Sequence, residues 1–379
     1  MSIIKLNGVV KEYAWGNDDF IPSLIGGFDG KPKAELWMGS HKSGESTLLD
    51  GEKLSDYLSS HKEVLSESKL PLLFKVLAIK EPLSLQCHPN KAQAEEGWKR
   101  EEEKRAKGEV VNYQDDNEKA EIIAAITPIT AMCGFRSFDA IKANLEHIAP
   151  KSYEKLLSGF SDIKSLFFGL YKLSECDKKA IIDELRSFIE NTHESSWKGN
   201  FLTEKGILKR LLRLYPDDIG VVSPYILNVV HLNVGEALYL EPGTLHAYVL
   251  GNGVELMSAS DNVLRGGLTK KHMDLQELGN IMKFDETVPE KVPTHLDSAS
   301  RKVYETPSPS FRLVAAPSGE YLVKSENFAL AIVIEGVITI KDGKERLQFN
   351  KGDIFMIGED VDEYSMRVRG MVYFAEVSK

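Results

Sequence analysis

The hydrophobic period of this chain changes twice, and that change limits its fold more than any other feature of the sequence. Residues 1 to about 137 contain short apolar runs, such as residues 73–79, bounded by glycine-rich turns, which is typical of β-strands. Over residues 138–217 the apolar positions recur at helical spacing, and after about Gly220 the strand pattern returns. We therefore predict a mainly β protein with an inserted segment of several short helices.

The same changes set the expected domain boundaries. A chain of 379 residues has room for two to three domains. We expect one β-barrel built from residues 1–137 and 220–285, a helical domain from residues 138–219 inserted into it, and a second barrel from residues 286–379. A proline-rich stretch between residues 280 and 310 favours a connection at that point.

Two segments in the β regions resemble each other. Residues 235–240 and residues 352–357 both contain a glycine, an acidic residue and an apolar strand, and a Pro-Gly turn with His246 follows the first copy. This pattern is typical of small jelly-roll barrels of the cupin type, so we predict two barrels of related build. The second copy has no histidine after His295, and we therefore expect it to be a degenerate, structural barrel.

Charge and composition exclude several classes of partner. The chain has 47 Lys and Arg against 57 Asp and Glu, a net charge of −10, and thus lacks the general positive field that attracts nucleic acid or anionic lipid. We see no signal peptide, and no apolar run approaches the roughly 18 residues of a spanning helix. Three cysteines without a CxxC motif fit a reducing compartment. We expect a cytoplasmic monomer that acts on a small molecule.

Four side chains in the β regions have the chemistry of metal ligands. Gln86 and His88 share one face of a predicted strand, Glu121 stands where another strand begins, and His246 follows a tight turn. Each pattern alone is more often a solvated strand face, a charged loop or a structural histidine. Together, two imidazoles, a carboxylate and an amide oxygen form a plausible ligand set for Zn²⁺ that leaves a position open for water or substrate.

A local basic site follows the last of these strands. Arg265 precedes two glycines, and Lys270 and Lys271 come directly after them in an otherwise acidic chain. Arginine and lysine beside flexible backbone suit a phosphate ester, although an ordinary surface loop has the same composition.

The chain resembles the type I phosphomannose isomerases in six motifs that occur in the same order between residue 5 and about residue 275. The motifs are YAWG at 13–16, AELWMG at 34–39, FKVL at 74–77 running on to QCHPNK at 86–91, the polar segment 112–121, CGFR at 133–136 and SDNVLRGGLT at 260–269. Beyond about residue 290 the likeness is only general.

The resemblance implies an activity and a cofactor. It implies a zinc-dependent aldose–ketose isomerase that interconverts D-mannose 6-phosphate and D-fructose 6-phosphate by proton transfer through a cis-enediol(ate). One Zn²⁺ per chain is expected, on ligands that match Gln86, His88, Glu121 and His246.

Seven further positions match active-site residues of the family. They are the catalytic Arg265, the proton-transfer candidates Lys119 and Asp261, the phosphate-holding Ser84 and Lys271, and the pocket-lining Lys75 and Glu255. The sequence does not choose between Lys119 and Asp261 as the base. Where the family usually has a histidine before this lysine, the chain has Glu118, which removes one candidate proton shuttle and favours Lys119.

Two other functions remain open at this point. His88, Glu121 and His246 alone would suit a non-haem iron oxygenase of the cupin type, although Gln86 and the phosphate-holding residues argue against it. A cupin that binds a sugar phosphate without turning it over is the second alternative, and Glu118 is its support.

Overall fold

The computed structural model of this chain describes residues 2–67, 69–324, 327–343 and 345–378. Strands make up 36% of it and helices 27%, which confirms the predicted mainly β class with a helical portion. No helix in these four stretches is both long and apolar enough to cross a membrane.

The strands of the described residues fall into two large antiparallel sheets and one short hairpin. In chain order they are β1 Ile3–Asn7, β2 Val9–Lys11, β3 Glu35–Met38, β4 Thr47–Leu48, β5 Leu72–Ile79, β6 Leu85–Cys87, β7 Glu121–Ala125, β8 Ile129–Phe135, β9 Trp197–Lys198, β10 Phe201–Leu202, β11 Leu227–Leu232, β12 Ala237–Leu240, β13 His246–Ser258, β14 Leu264–Gly267, β15 Thr294–Leu296, β16 Lys302–Tyr304, β17 Phe311–Lys324, β18 Ala329–Asp342, β19 Glu345–Asn350, β20 Ile354–Ile357 and β21 Glu363–Val377.

The helices lie mostly between β8 and β11, where the sequence predicts them. They are α1 Phe20–Ile25, α2 Leu54–Ser60, α3 Lys91–Arg100, α4 Glu102–Ala106, α5 Phe138–Ile148, α6 Pro150–Ser152, α7 Ile163–Lys172, α8 Glu175–Asn191, α9 Glu204–Leu214, α10 Ser223–Ile226 and α11 Leu275–Ile281, with a π-helical turn at Tyr153–Leu157 and a 3₁₀ turn at Ile219–Val222. The hairpin β9–β10 interrupts the helical insertion, a feature that the sequence pattern did not predict.

The first sheet is organised around the long strand β13. Its order is β11-β8-β13-β5-β3-β2, and β6, β7, β12 and β14 attach beside this path. The beginning of β13 pairs with β6 and β8, and the remainder pairs with β5 and β7. One strand therefore connects the elements that carry most of the predicted site residues.

The second sheet contains the C-terminal strands and, unexpectedly, the first strand of the chain. Its order is β15-β16-β17-β21-β18-β20-β1-β4, with β19 beside β18. Strand β1 pairs with β20, whereas β2 pairs with β3 of the first sheet, so the chain crosses between the sheets at Gly8. A Cβ at Gly8 would lie 2.7 Å from the Ile354 side chain and 2.9 Å from the Trp37 carbonyl oxygen, so only glycine fits this crossover.

The internal resemblance of the sequence is confirmed in the fold. Strands β12 and β20 each follow a glycine in the left-handed region, Gly235 at φ 78° and Gly352 at φ 86°. The interior of the C-terminal unit is apolar, with the fully buried Phe355 and Phe374 among its packed side chains. The structural role expected for this unit stays a prediction.

Two buried cores tie the parts of the molecule together. One joins the helical insertion to the first sheet and contains Phe167 and Leu208 together with Met132 and Leu245. The other joins the two large sheets and contains side chains from both, among them Phe74, Val76, Leu256, Leu313, Leu330 and Ile332. Apolar burial on this scale is the main source of stability for such an arrangement.

Candidate active site

The predicted ligands meet at one end of the first sheet because its strand register brings their chain positions together. His246 opens β13 and pairs with Gln86 of β6, two residues before His88. Glu121 opens β7 and pairs with Leu240, the last residue of β12 before the turn that leads to His246. Side chains far apart in the sequence therefore converge on one buried point.

His88, Glu121 and His246 form a cluster that can hold a metal ion. One possible ligand atom from each lies within 4.8 Å of the others, and all three residues are buried. An oxygen of Glu121 is 3.5 Å from Nε2 of His88 and 3.6 Å from Nε2 of His246. Two imidazole nitrogens and a carboxylate are a common donor set for Zn²⁺.

Backbone carbonyls orient both rings. Nδ1 of His88 donates to the carbonyl oxygen of Asn262 at 2.7 Å, and Nδ1 of His246 donates to that of Thr244 at 2.9 Å. These hydrogen bonds leave Nε2 of each ring facing Glu121. Burial, helped by the charge of Lys119, lowers the pKa of His88 to about 4, so this ring is a neutral ligand at pH 7.

Lys119 is buried against the same cluster. Its ammonium contacts the carboxylate of Glu121 and lies 3.4 Å from Nε2 of His88. Burial alone would raise the pKa of Glu121, but the charge of Lys119 holds that pKa well below its usual range. Glu121 is therefore ionised and able to act as a metal ligand, and Lys119 lies directly beside it.

Gln86 lies beside the cluster, half-buried in β6. Its backbone is opposite His246 of β13 on one side and opposite Arg265 of β14 on the other. The register thus connects the candidate metal ligands to the predicted catalytic arginine, while coordination by the Gln86 amide stays a prediction.

Lys75 and Glu255 form a buried ion pair in the wall of the site. They are register partners in β5 and β13, and Nζ of Lys75 is 3.0 Å from a carboxylate oxygen of Glu255. Although burial favours the neutral amine, Glu255 and Glu35 raise the pKa of Lys75. Burial likewise raises the pKa of Glu255, in spite of Lys75 beside it. The pair contributes a fixed charge distribution to the pocket wall.

Two residues of this wall, Glu35 and Trp37, received no role from the sequence. The indole N–H of Trp37 donates to the buried carboxylate of Glu35, and Nζ of Lys75 lies 5.2 Å from the Trp37 ring centroid. Both belong to the AELWMG motif. Its alternating acidic and aromatic side chains are the sequence signal that could have identified these two residues.

Asp261 is held by a histidine that sequence analysis missed. Nε2 of His41 is 3.2 Å from a carboxylate oxygen of Asp261, and Nδ1 of the same ring accepts the backbone N–H of Ser43 at 3.2 Å. The ring therefore donates through Nε2, and this hydrogen bond lowers the pKa of Asp261. Nothing in the sequence around His41 indicates that its partner is the distant Asp261.

Arg265 and Asp261 line one cleft of about 230 Å³. Burial lowers the pKa of the half-buried Arg265, but a guanidinium remains charged at neutral pH. The cleft therefore presents a positive and a negative group to a bound molecule.

Phosphate binding by Ser84 and Lys271 stays a prediction. Ser84 is half-buried just before β6, and Lys271 is exposed beyond β14. In the described part of the chain, the backbone N–H of Lys271 donates to Oγ1 of Thr269 at 3.0 Å. Glu118 is half-buried near Tyr239, whose pKa is raised to about 12 by burial and by the Glu118 charge.

Comparisons with known proteins point to one family. Residues 3–138 match the family described as phosphomannose isomerase type I, catalytic domain. The chain is 31% identical to the mannose-6-phosphate isomerase of Escherichia coli, with 97% of each chain covered. It is 32% identical to the Salmonella typhimurium enzyme of that name, with 94% of this chain and 95% of the relative covered.

Solved structures agree over the full length. The apo form of mannose 6-phosphate isomerase from Salmonella typhimurium superimposes with a TM-score of 0.89 at 29% identity, and each chain is wholly covered. A mannose 6-phosphate isomerase crystallised with zinc and yttrium gives a TM-score of 0.89 at 30% identity, again over both whole chains.

Proposed function

The chain belongs to the type I phosphomannose isomerases, and we propose that its buried cluster of His88, Glu121 and His246 is the zinc centre with which it interconverts D-mannose 6-phosphate and D-fructose 6-phosphate. The convergence of these three side chains carries the proposal. A family member crystallised with zinc supports zinc over the iron of an oxygenase.

The donors of this chain fit a zinc ion. Both imidazoles have Nδ1 tied to the backbone, Glu121 is ionised, and the three residues are buried, so little reorganisation is needed to bind a cation. Gln86 is the proposed fourth ligand. When bound, zinc supplies a Lewis acid that stabilises negative charge on substrate oxygen.

Arg265 stabilises the charge that develops in the reaction. Moving a proton between C2 and C1 of the open-chain sugar passes through an enediol(ate), which places negative charge on oxygen. A guanidinium held in a cleft next to the site can donate hydrogen bonds to that oxygen without being rearranged. We assign the phosphate group to Ser84 and Lys271, and the sugar-facing wall to Lys75 and Glu255.

Lys119 and Asp261 are the proposed proton carriers. Lys119 is buried against the ligand cluster, and the ionised Asp261 lines the same cleft as Arg265. This arrangement supports a division in which Lys119 moves the proton of the sugar carbon and Asp261 moves hydroxyl protons. Because Glu118 lies near Tyr239, we propose that the exchange of the family histidine for Glu118 leaves this chemistry intact.

We further propose that the enzyme works as a cytoplasmic monomer with one zinc ion per chain. The absence of a CxxC motif among three cysteines is consistent with a reducing compartment. Mass measurement of the native protein in solution tests the oligomeric state directly.

A coupled assay tests the proposed activity. Purified protein is given mannose 6-phosphate, and formation of fructose 6-phosphate is followed before chelator treatment, after it, and after addition of zinc salt. We expect activity to disappear with the chelator and to return with zinc. Binding of mannose 6-phosphate without turnover in the zinc-loaded protein would instead establish the non-catalytic alternative.

A further inference from the structure

The turn at residues 266–269 joins the catalytic arginine to the predicted phosphate-binding lysine. Arg265 precedes it in β14, where its backbone is fixed opposite Gln86 of β6, and Lys271 follows it outside any strand. The position of Arg265 is thus set by the sheet, whereas the position of Lys271 depends on the conformation of the turn.

This turn has an unusual backbone. Leu268 has φ 55°, a left-handed conformation that is unfavourable for a residue with a Cβ, yet its side chain is fully buried. Such a conformation persists only where surrounding contacts hold it. The holding contacts come from the helical insertion.

Asp218, directly before the 3₁₀ turn Ile219–Val222, binds the backbone of the turn. Its carboxylate accepts the N–H of Leu268 at 2.7 Å and that of Thr269 at 3.4 Å, and its other oxygen accepts the N–H of Gly220 at 2.8 Å. A carboxylate that accepts backbone N–H groups makes charge-assisted hydrogen bonds, which are stronger than neutral ones.

Tyr171 of α7 holds the other side of the same turn. Its hydroxyl donates to the carbonyl oxygen of Gly266, and burial together with the charge of Asp218 raises its pKa well above the usual value, so it remains a donor. A Cβ at Gly267 would come within 2.3 Å of this hydroxyl oxygen, which shows how closely the turn is packed on Tyr171.

We propose that Asp218 and Tyr171 are positioning residues through which the helical insertion fixes where Lys271 meets the phosphate group of the substrate. The inference rests on the proposed isomerase function and gives the helical insertion a task in substrate binding. It predicts that losing either contact weakens phosphate recognition while leaving zinc binding and the reaction step largely unchanged.

The test compares Asp218→Ala, Asp218→Asn and Tyr171→Phe with wild type in the zinc-loaded full-length enzyme. Asp183→Asn is the matched control, because Asp183 is an exposed acid in the same insertion that pairs with Lys179. The measurements are KM and kcat for mannose 6-phosphate, the competitive inhibition constant of inorganic phosphate, zinc content and Tm.

For Asp218→Ala we expect both KM and the phosphate inhibition constant to rise by about 10-fold, with kcat changed less than about threefold and zinc content unchanged. Asp218→Asn, which keeps one acceptor oxygen, and Tyr171→Phe, which loses one oxygen atom, should each give about a threefold rise. Tyr171→Phe keeps the proposal testable if Asp218→Ala does not fold.

This design distinguishes failure of the inference from failure of the proposed function. If wild type turns over but the variants show only a lower Tm, with KM and the phosphate constant unchanged, Asp218 and Tyr171 are merely structural and the inference is wrong. If zinc-loaded wild type does not turn over, the proposed function itself fails, before any variant is compared.

Discussion

Arg265 is the residue to which we assign the stabilisation of charge on the reacting substrate. It is half-buried in the cleft it shares with Asp261, and in the described part of the chain no carboxylate forms an ion pair with its guanidinium. A guanidinium held this way can stabilise negative charge that appears only during the reaction. Stabilisation that is specific to the transition state raises kcat.

Replacing Arg265 by alanine should lower kcat by about 100-fold or more while leaving zinc content unchanged. Among the residues that the structure describes, no contact joins the guanidinium to the metal cluster, so we expect its loss to remove stabilisation of the enediol(ate) and not the ion. Steady-state kinetics with metal analysis measures both quantities. Arg213→Ala, an exposed arginine paired with Glu81, is the control and should behave as wild type. Equal loss of zinc and activity in Arg265→Ala would contradict the assigned role.

The low pKa of His88 makes the stability of the zinc-free protein depend on pH. As pH falls below about 6.5, the unfolded chain takes up a proton on this histidine, while the folded chain resists until about pH 4. Protonation thus favours the unfolded state, and stability from this residue should be lost as pH falls through that window, by roughly 3 kcal/mol in all.

Urea unfolding of the chelator-treated protein at several pH values between 4 and 7 measures this dependence. His88→Gln, which has no titrating ring, should show a flatter profile than wild type, whereas His147→Gln, at an exposed histidine, should retain the wild-type slope. Identical slopes for wild type and His88→Gln would mean that the ring is not held neutral in the folded protein.

Asn262 joins two loops of the first sheet by hydrogen bonds. This fully buried side chain accepts the N–H of Gln114 at 2.7 Å and donates to the carbonyl oxygens of Asp115 and Asn117, at 2.9 and 2.8 Å. The backbone carbonyl oxygen of Asn262 accepts from Nδ1 of His88. The loop before β7, the loop before β14 and a metal ligand therefore depend on one residue.

Asn262→Ala should weaken zinc binding by about 10-fold or more and destabilise the fold by roughly 2–4 kcal/mol. Buried backbone groups of the loop before β7 lose their partners, and the segment whose backbone carbonyl orients His88 loses the side chain that anchors it. Zinc competition with a chromogenic chelator and urea unfolding measure the two effects. Asn144→Ala in α5 loses a hydrogen bond to the Tyr225 carbonyl oxygen and should lower stability alone. Unchanged zinc affinity in Asn262→Ala would show that the side-chain hydrogen bonds of Asn262 do not support the metal centre.

The sequence predicted the parts of the site that lie at strand ends. His88, Glu121 and His246 follow local signals, namely strand alternation, the start of an apolar run and a tight turn. His41 and Asp218 were missed because each acts on a distant segment through a loop, where no period constrains the partner. Helix α3 was also missed, although its capping box between Asn90 and Gln93 is readable in the sequence.

At the scale of the whole molecule, the two large sheets share one apolar core, and β1 and β2 join them at Gly8. Hydrophobic periodicity separates the chain into strand and helix regions, but it does not say which sheet an N-terminal strand joins. That choice depends on pairing with β20, at the opposite end of the chain. We infer that the sheets unfold together.

Leu330→Ala, a fully buried change in β18 of the shared core, should destabilise the protein by roughly 2–5 kcal/mol. All four tryptophans precede residue 200, so tryptophan fluorescence reports on the first sheet and the helical insertion. If the sheets are cooperative, the fluorescence transition in urea should shift to lower concentration for Leu330→Ala and stay in place for Leu322→Ala, whose side chain is exposed. A fluorescence midpoint unmoved by Leu330→Ala would mean that the C-terminal sheet unfolds independently.

Anomalous X-ray diffraction from crystals of the zinc-loaded protein, recorded on both sides of the zinc absorption edge, tests the proposed metal centre most directly. We predict a single zinc peak within about 2.0–2.2 Å of Nε2 of His88, Nε2 of His246 and an oxygen of Glu121. A zinc peak elsewhere in the molecule, or no peak at this cluster after zinc loading, would contradict the account.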